Sequence, residues 1–484
     1  MEITQGGYVM GDNKNAVYDA KTLGYPKMLV LGFQHMFAMF GATVLVPALT
    51  GLSVSATLLF AGLGTLLFHF LTKGRVPAFL GSSFAFIGGY KMVAWTVETV
   101  GDQKVEVLHP ELLPYACLGV LGAGALYLVL AALIKAFGQK KVMRFFPPIV
   151  TGPIIIAIGL TLSSSAIDSC QDNWVVAILA ILVVIVCSIY GKGMIKIIPI
   201  LLGVIVSYIA ACCLGIVSFD AVKEAAWIGL PFKMEDTVFE VFKSPDSSKI
   251  ANALITIMPI ALATMVEHIG DISAISSTTN RNFIEDPGLH RTLLGDGLAT
   301  MLASVFGAPA NTTYGENTGV LSLTKVYDPR VIRIAAYCAI LFSFCPKFAA
   351  LIGSLPVATI GGVSIVLYGM ISAVGVRNIV ENQVDFSKSR NVIIAALILG
   401  LSVGVKYCAA GAINISIGSV DIALTGLAVG ALVGIIFNAI LPLDEKEYLG
   451  ASKSFTTESE GTISNQPKRM DSKRKIENKK KSRK

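Results

Sequence analysis

Charge is what this chain has least of. Only 15% of its 484 residues are Asp, Glu, Lys or Arg, where soluble globular chains run near a quarter. Tryptophan is scarce too, at three residues. Eight cysteines are scattered through mostly apolar stretches, with no CxxC pair and no Cys/His ligand spacing. They read as buried apolar residues, neither disulfides nor metal ligands. The polar start, residues 1–26, has no apolar stretch behind a basic beginning, so it does not read as a cleaved signal peptide. No nucleotide-binding loop, metal-ligand cluster or nucleophile–base pair can be found, which argues against an enzyme and leaves no cofactor implied.

What fills the chain instead is oil. Mean hydropathy is +0.69. Runs such as "WVVAILAILVVIVCSIY" (174–190) and "IIPILLGVIVSYIAACCLGIV" (197–217) approach the roughly 20 residues that cross a bilayer as a helix. About fourteen such segments can be counted between residues 28 and 441. No soluble core needs so many consecutive apolar helices, so the expectation is an all-α, multi-pass membrane protein. The links after the second, fourth and sixth segments are basic, and those after the third and fifth are acidic. Because Lys and Arg concentrate in cytoplasmic loops, both termini are expected inside the cell. The net charge of +7 is carried largely by a Lys/Arg-rich end, residues 443–484. That end reads as a disordered cytoplasmic tail, with no nucleic-acid role.

Fourteen spans divide into seven and seven. An odd number per half inserts the second half upside down, the inverted repeat of many secondary transporters. The third and tenth segments are the interrupted ones. The former opens with "VPAFLGSSFAF" (76–86) and the latter with "APANTTYGENTG" (308–319). Each has a proline, a run of small, hydroxyl or aromatic residues, then a helix start. Matched interruptions of this kind point to a transporter's binding site. Extended backbone at membrane depth must find partners, and two such strands can pair with each other. The helix starts then offer N–H donors and positive dipole ends to a central pocket. Gly315 allows close backbone approach, and Glu316 falls in the first helical turn, as a cap, a ligand contact or both. The plainer alternative is an exposed loop over 309–315.

A second constellation is "MPIALATMVEHIGDISAISS" (258–277). Glu267 and Asp271, spaced i, i+4, share one helix face within an apolar span. Ionisable groups there usually line a substrate or proton path. Two close carboxylates in an apolar span repel, so at least one is expected to have a raised pKa and to be able to carry a proton. A satisfied structural role remains the alternative for both. His268 points about 100° away and reads as a packing or hydrogen-bonding residue. Gln34 and His35 read mainly as helix-to-helix glue, with Gln34 also a candidate to face the pocket.

These residues resemble the nucleobase–ascorbate transporter family, in its bacterial uracil-permease branch. The family signature, [Gln/Glu/Pro]-Asn-x-Gly-x(4)-Thr-[Arg/Lys/Gly], is met by Glu316, Asn317, Gly319, Thr324 and Lys325. "LGFQHMFAMFGATVLVPAL" (31–49), "PAFLGSSFAF" (77–86), "EHIGD" (267–271), "DPGLHR" (286–291) and "PVATIGGVSIVLYG" (356–369) follow in the family's order, so the resemblance covers roughly 27–441.

The resemblance implies two inverted seven-segment repeats, with short antiparallel strands in segments 3 and 10. It places a core domain at 27–144 and 251–353 and a gate domain at 145–250 and 354–442, which also mediates homodimers. Tails of 1–26 and 443–484 lie outside it. Glu267 and Glu316 resemble the carboxylates that accept from uracil N–H groups. The backbone N–H groups of Phe84 and Gly315 resemble the donors to its carbonyls, and Ala42, Tyr314 and Tyr368 fall at pocket-lining positions. The expected activity is proton-coupled uracil uptake through the cell membrane, by alternating access of core against gate. Proton is the coupling ion, held on Glu267 with or without Asp271. One departure stands out: some uracil carriers have His where this chain has Asp271, as many purine carriers do. A xanthine or purine–proton symporter is therefore the alternative, and an anion transporter or channel of the same architecture a further one.

Overall fold

The computed structural model describes residues 16–100, 103–417 and 420–442. The chain through Ile440 packs as one unit; Leu441–Lys484 is another, and the basic tail expected at 443–484 lies outside the described residues.

A helix sits on each of the fourteen apolar stretches: α1 (Tyr25–Thr50), α2 (Val54–Leu71), α3 (Phe84–Ala94), α4 (Leu113–Phe137), α5 (Pro148–Cys170), α6 (Trp174–Tyr190), α7 (Pro199–Cys213), α8 (Ser247–Thr279), α9 (Leu289–Val305), α10 (Gly315–Thr324), α11 (Pro329–Ser343), α12 (Val357–Glu381), α13 (Ser389–Tyr407) and α14 (Gly426–Ile440). Among the described residues, seven (α1, α2, α4, α5, α8, α12, α13) are long and apolar enough to cross a membrane alone. An eighth forms if α11 is counted with Pro346–Gly353, from which it is bent by 89°. Helices α3, α6, α7 and α14 are apolar but shorter. The break after α11 falls at Cys345-Pro346, where the ring removes a backbone donor. All eight cysteines are free, but Cys213 and Cys408 are exposed. The expectation of buried cysteines is met by Cys117 and Cys170; Cys187, Cys212, Cys338 and Cys345 are partly exposed, and the two exposed ones end α7 and follow α13.

The principal helix contacts repeat seven helices on. Helix α2 packs on α11 as α9 packs on α4; α1 on α11 as α8 on α4; α6 on α7 as α13 on α14; α5 on α13 as α12 on α6. Helices α5 and α12 pack extensively on each other.

The two interrupted stretches meet as strands. β1 (Leu80–Ser82) runs antiparallel to β2 (Asn311–Thr313), pairing Leu80 with Thr313, Gly81 with Thr312 and Ser82 with Asn311. All six are buried, so the ladder supplies partners that lipid would not. Matching threonines hang it between helices. Thr65 of α2 donates to the Leu80 carbonyl at 3.2 Å and accepts from its N–H at 2.9 Å. Thr300 of α9 donates to the Asn311 carbonyl at 2.5 Å. Asn311 adds a 2.7 Å bond to the Phe60 carbonyl. Gly81 is required here: a Cβ on it would stand 2.6 Å from the Tyr314 ring.

Candidate substrate site

The ladder's backbone bonds stop one residue short of the helices. Ser83 N–H donates to the Ala310 carbonyl at 2.8 Å, and Tyr314 N–H to that of Phe79 at 3.0 Å. The next residues, Phe84 and Gly315, open α3 and α10. First-turn N–H groups have no partner within their own helix and carry the positive dipole end. The two starts leave opposite ends of one antiparallel ladder. Acceptors placed between them meet donors from both halves of the chain.

The aromatic residues divide in role. Phe84 meets Tyr368 of α12 edge to face, with ring centroids 5.6 Å apart, and both are buried. Tyr314 is folded back onto the strands: its hydroxyl donates to the Ser82 carbonyl at 2.8 Å, lies 3.1 Å from Ser82 Oγ and is approached by Thr43 Oγ1 of α1 at 3.4 Å. At 4% exposure, this ring braces both strands against α1. Ala42 lies on α1 and Glu316 in the first turn of α10; their side chains fall outside the described residues.

The acidic side of the site comes from α8. Glu267 and Asp271 are half-buried, one turn apart. Thr313 Oγ1 donates to Asp271 Oδ2 at 3.0 Å. The other carboxylate oxygen is 3.5 Å from where a Cβ on Gly315 would stand. Asp271 therefore reaches the start of α10, and the Thr313 hydroxyl of β2 fixes it there.

Behind this surface the network continues into a dry interior. His268 Nδ1 lies 3.4 Å from Thr313 Oγ1 and 3.2 Å from Asp296 Oδ2, with both His268 and Asp296 side chains at 0% exposure. Thr312 approaches the same carboxylate at 3.5 Å. Asp296 was missed in the sequence, although the acid in "LGDGLAT" within an apolar stretch was a signal. His268 is a hydrogen-bonding residue, as its angle on the helix implied, and its partners are the strand and α9.

One signature residue, Asn317, ties α10 to α1. Asn317, 1% exposed, donates to the His35 carbonyl of α1 at 3.1 Å and lies 3.2 Å from its Nδ1. Thr324 Oγ1 donates to the Val320 carbonyl at 2.8 Å, and Lys325 ends α10 with φ 55°. A Cβ on Gly319 would meet nothing within 4 Å. Gln34 Oε1 is buried with no hydrogen-bond partner among the described residues.

Comparison with known proteins gives this geometry a lineage. The sequence profile of the "Permease family" matches residues 26–411. The chain is 40% identical to the uracil permease of Bacillus caldolyticus over 436 residues, 88% of this chain and 94% of that one. It is 38% identical to the uracil permease of Bacillus subtilis, over 87% of this chain and 94% of that one. Among solved structures, the transmembrane domain of a cyanobacterium bicarbonate transporter superposes with a TM-score of 0.57 at 14% identity, covering 88% of this chain and 99% of that one; the likeness is one of fold. Two paired broken-helix starts, a complete signature and these relatives lead to one conclusion: the chain is a multi-pass membrane protein of the permease family of nucleobase–ascorbate transporters, a carrier and not an enzyme.

Proposed function

We propose that the protein carries uracil across the cell membrane together with a proton. The observation that carries this reading is the opposition of donors and acceptors at one site: helix-start N–H groups at Phe84 and Gly315, and carboxylates one turn apart at Glu267 and Asp271. Uracil is flat and neutral, with two carbonyls and two N–H groups. The N–H groups of Phe84 and Gly315 donate to the carbonyls, and Glu267 and Glu316 accept from the ring N–H groups. A site built of paired hydrogen bonds rejects analogues that leave a buried group unpaired. The relatives named uracil permeases support the substrate.

Fourteen spans in two inverted repeats are supported by the contacts that recur seven helices on. In this reading α1–α4 with α8–α11 form the core, and α5–α7 with α12–α14 the gate and dimer surface. Both termini face the cytoplasm, where the basic links belong. Glu267 takes up a proton from outside, Asp271 shares it, and the core shifts against the gate. The higher internal pH then removes the proton and releases uracil. The test is uptake of labelled uracil into proteoliposomes under an inward proton gradient, challenged with excess unlabelled uracil or xanthine. Block by uracil and not by xanthine is expected. Uptake of labelled xanthine without uracil uptake would assign the site to purines.

A further inference from the structure

A second cavity lies away from the substrate site, at the end of α4 that leads into the basic link. It measures about 560 Å³, within the roughly 300–1,000 Å³ of small-molecule pockets. Its walls come from three places in the sequence: Val129 and Leu133 on α4, Leu262 and Met265 on α8, and Leu432 and Ile436 on α14. Its lining is apolar except for Lys141. Val129 (55%), Leu133 (41%), Leu432 (43%) and Ile436 (41%) keep much of their surface exposed, so the cavity opens sideways, where the surroundings of a spanning helix are hydrocarbon.

The mouth has a different character. Lys141 is exposed, as are Lys135, Lys140 and Arg144 on the same stretch, and no acid occurs between residues 126 and 146. The short helix Gln139–Met143 that carries Lys141 is tied to α14: Asn438 Nδ2 donates to the Arg144 carbonyl at 3.0 Å. Arg390 in turn donates to Asn438 Oδ1 at 2.7 Å. The tie fixes the short helix whose Lys141 lines the apolar slot. An apolar slot open to lipid beneath a basic rim matches one chemistry, an acyl chain under a negatively charged headgroup.

We infer that this cavity is a binding site for an anionic phospholipid, its acyl chain between α4, α8 and α14 and its phosphate at Lys141. Leu262 and Met265 precede Glu267 on the same helix, so a bound chain touches the element that carries the substrate carboxylates. The inference stands on the cavity and its rim and does not depend on which nucleobase is carried.

The test uses the full chain, exchanged into synthetic detergent and stripped of lipid. It is titrated with dioleoyl phosphatidylglycerol, with dioleoyl phosphatidylcholine and with inorganic phosphate, reading thermal unfolding and lipids retained in native mass spectra. Phosphatidylglycerol is expected to raise the unfolding midpoint and to remain bound, whereas the other two do neither. Lys141→Glu should weaken that response about tenfold or more, and Leu133→Trp, which fills the slot, should remove it. Equal responses to both phospholipids, or wild-type phosphatidylglycerol binding by Lys141→Glu, would overturn the inference. So would a photo-crosslinker at Val129 that, in native membranes, captures a protein segment and no lipid.

Discussion

Helices α1 and α8 occupy matching places, seven helices apart, and carry related polar pairs: Gln34-His35 in one and Glu267-His268 in the other. Each histidine is fully buried. Their partners differ. His35 meets the neutral amide of Asn317, whereas His268 meets the carboxylate of Asp296. One turn further, α1 has Ala38 and α8 has Asp271. One half of the chain thus keeps a neutral hydrogen-bonding scaffold and the other holds the acids. Helices in matching places can share a buried histidine while only one of them carries carboxylates.

The largest effect that would break this comparison is expected inside the dry network. Among the described residues, His268→Leu leaves Asp296 only the 3.5 Å approach of Thr312; stranding a buried carboxyl group costs about 3 kcal/mol or more. His35→Leu removes neutral contacts, worth about 1 kcal/mol. Thermal unfolding in detergent measures both, and equal losses would erase the distinction between the halves.

Next comes Glu267→Gln, which gives α8 the residue that α1 already has. Losing a hydrogen-bonding carboxylate is worth about 1.5–3 kcal/mol, so uracil affinity should fall roughly 10- to 100-fold, read by isothermal titration. Gradient-driven accumulation should vanish.

A smaller effect is expected at the entrance of α10. A Cβ on Gly315 would sit 3.5 Å from the Asp271 carboxylate, an ordinary contact, whereas one on Gly319 would meet nothing within 4 Å. Gly315→Ala should fold and weaken uracil binding by roughly tenfold, about 1.4 kcal/mol. Gly319→Ala should stay within about 0.5 kcal/mol of the parent in stability and bind uracil unchanged. Binding isotherms of the two variants separate a site glycine from a spacing glycine. Below Gly315→Ala comes Thr313→Val, which removes the 3.0 Å bond to Asp271; about 1 kcal/mol should appear as a several-fold fall in uptake at fixed pH.

Much of this arrangement was legible in the sequence because its signals are local. Apolar runs located the helices, and Pro77 and Pro309 before hydroxyl-rich stretches marked both interruptions. The i, i+4 spacing put Glu267 and Asp271 on one face. What could not be read is what depends on distant segments. Nothing local couples His268 to Asp296, or Asn317 to His35 across 282 positions. The bonds by which Tyr314 braces the strands, to the Ser82 carbonyl and from Thr43 of α1, likewise come from distant segments. The number of spans was less legible than the apolar runs suggested, because α3, α6, α7 and α14 are shorter than a bilayer-crossing helix usually is.

The most direct test of proton coupling through α8 is uracil-evoked proton movement in proteoliposomes loaded with a pH-sensitive dye, comparing the parent with Glu267→Gln. External uracil is expected to acidify the lumen of parent vesicles, while Glu267→Gln exchanges labelled uracil without acidification. Equal acidification by the variant would contradict it and move the proton to another group.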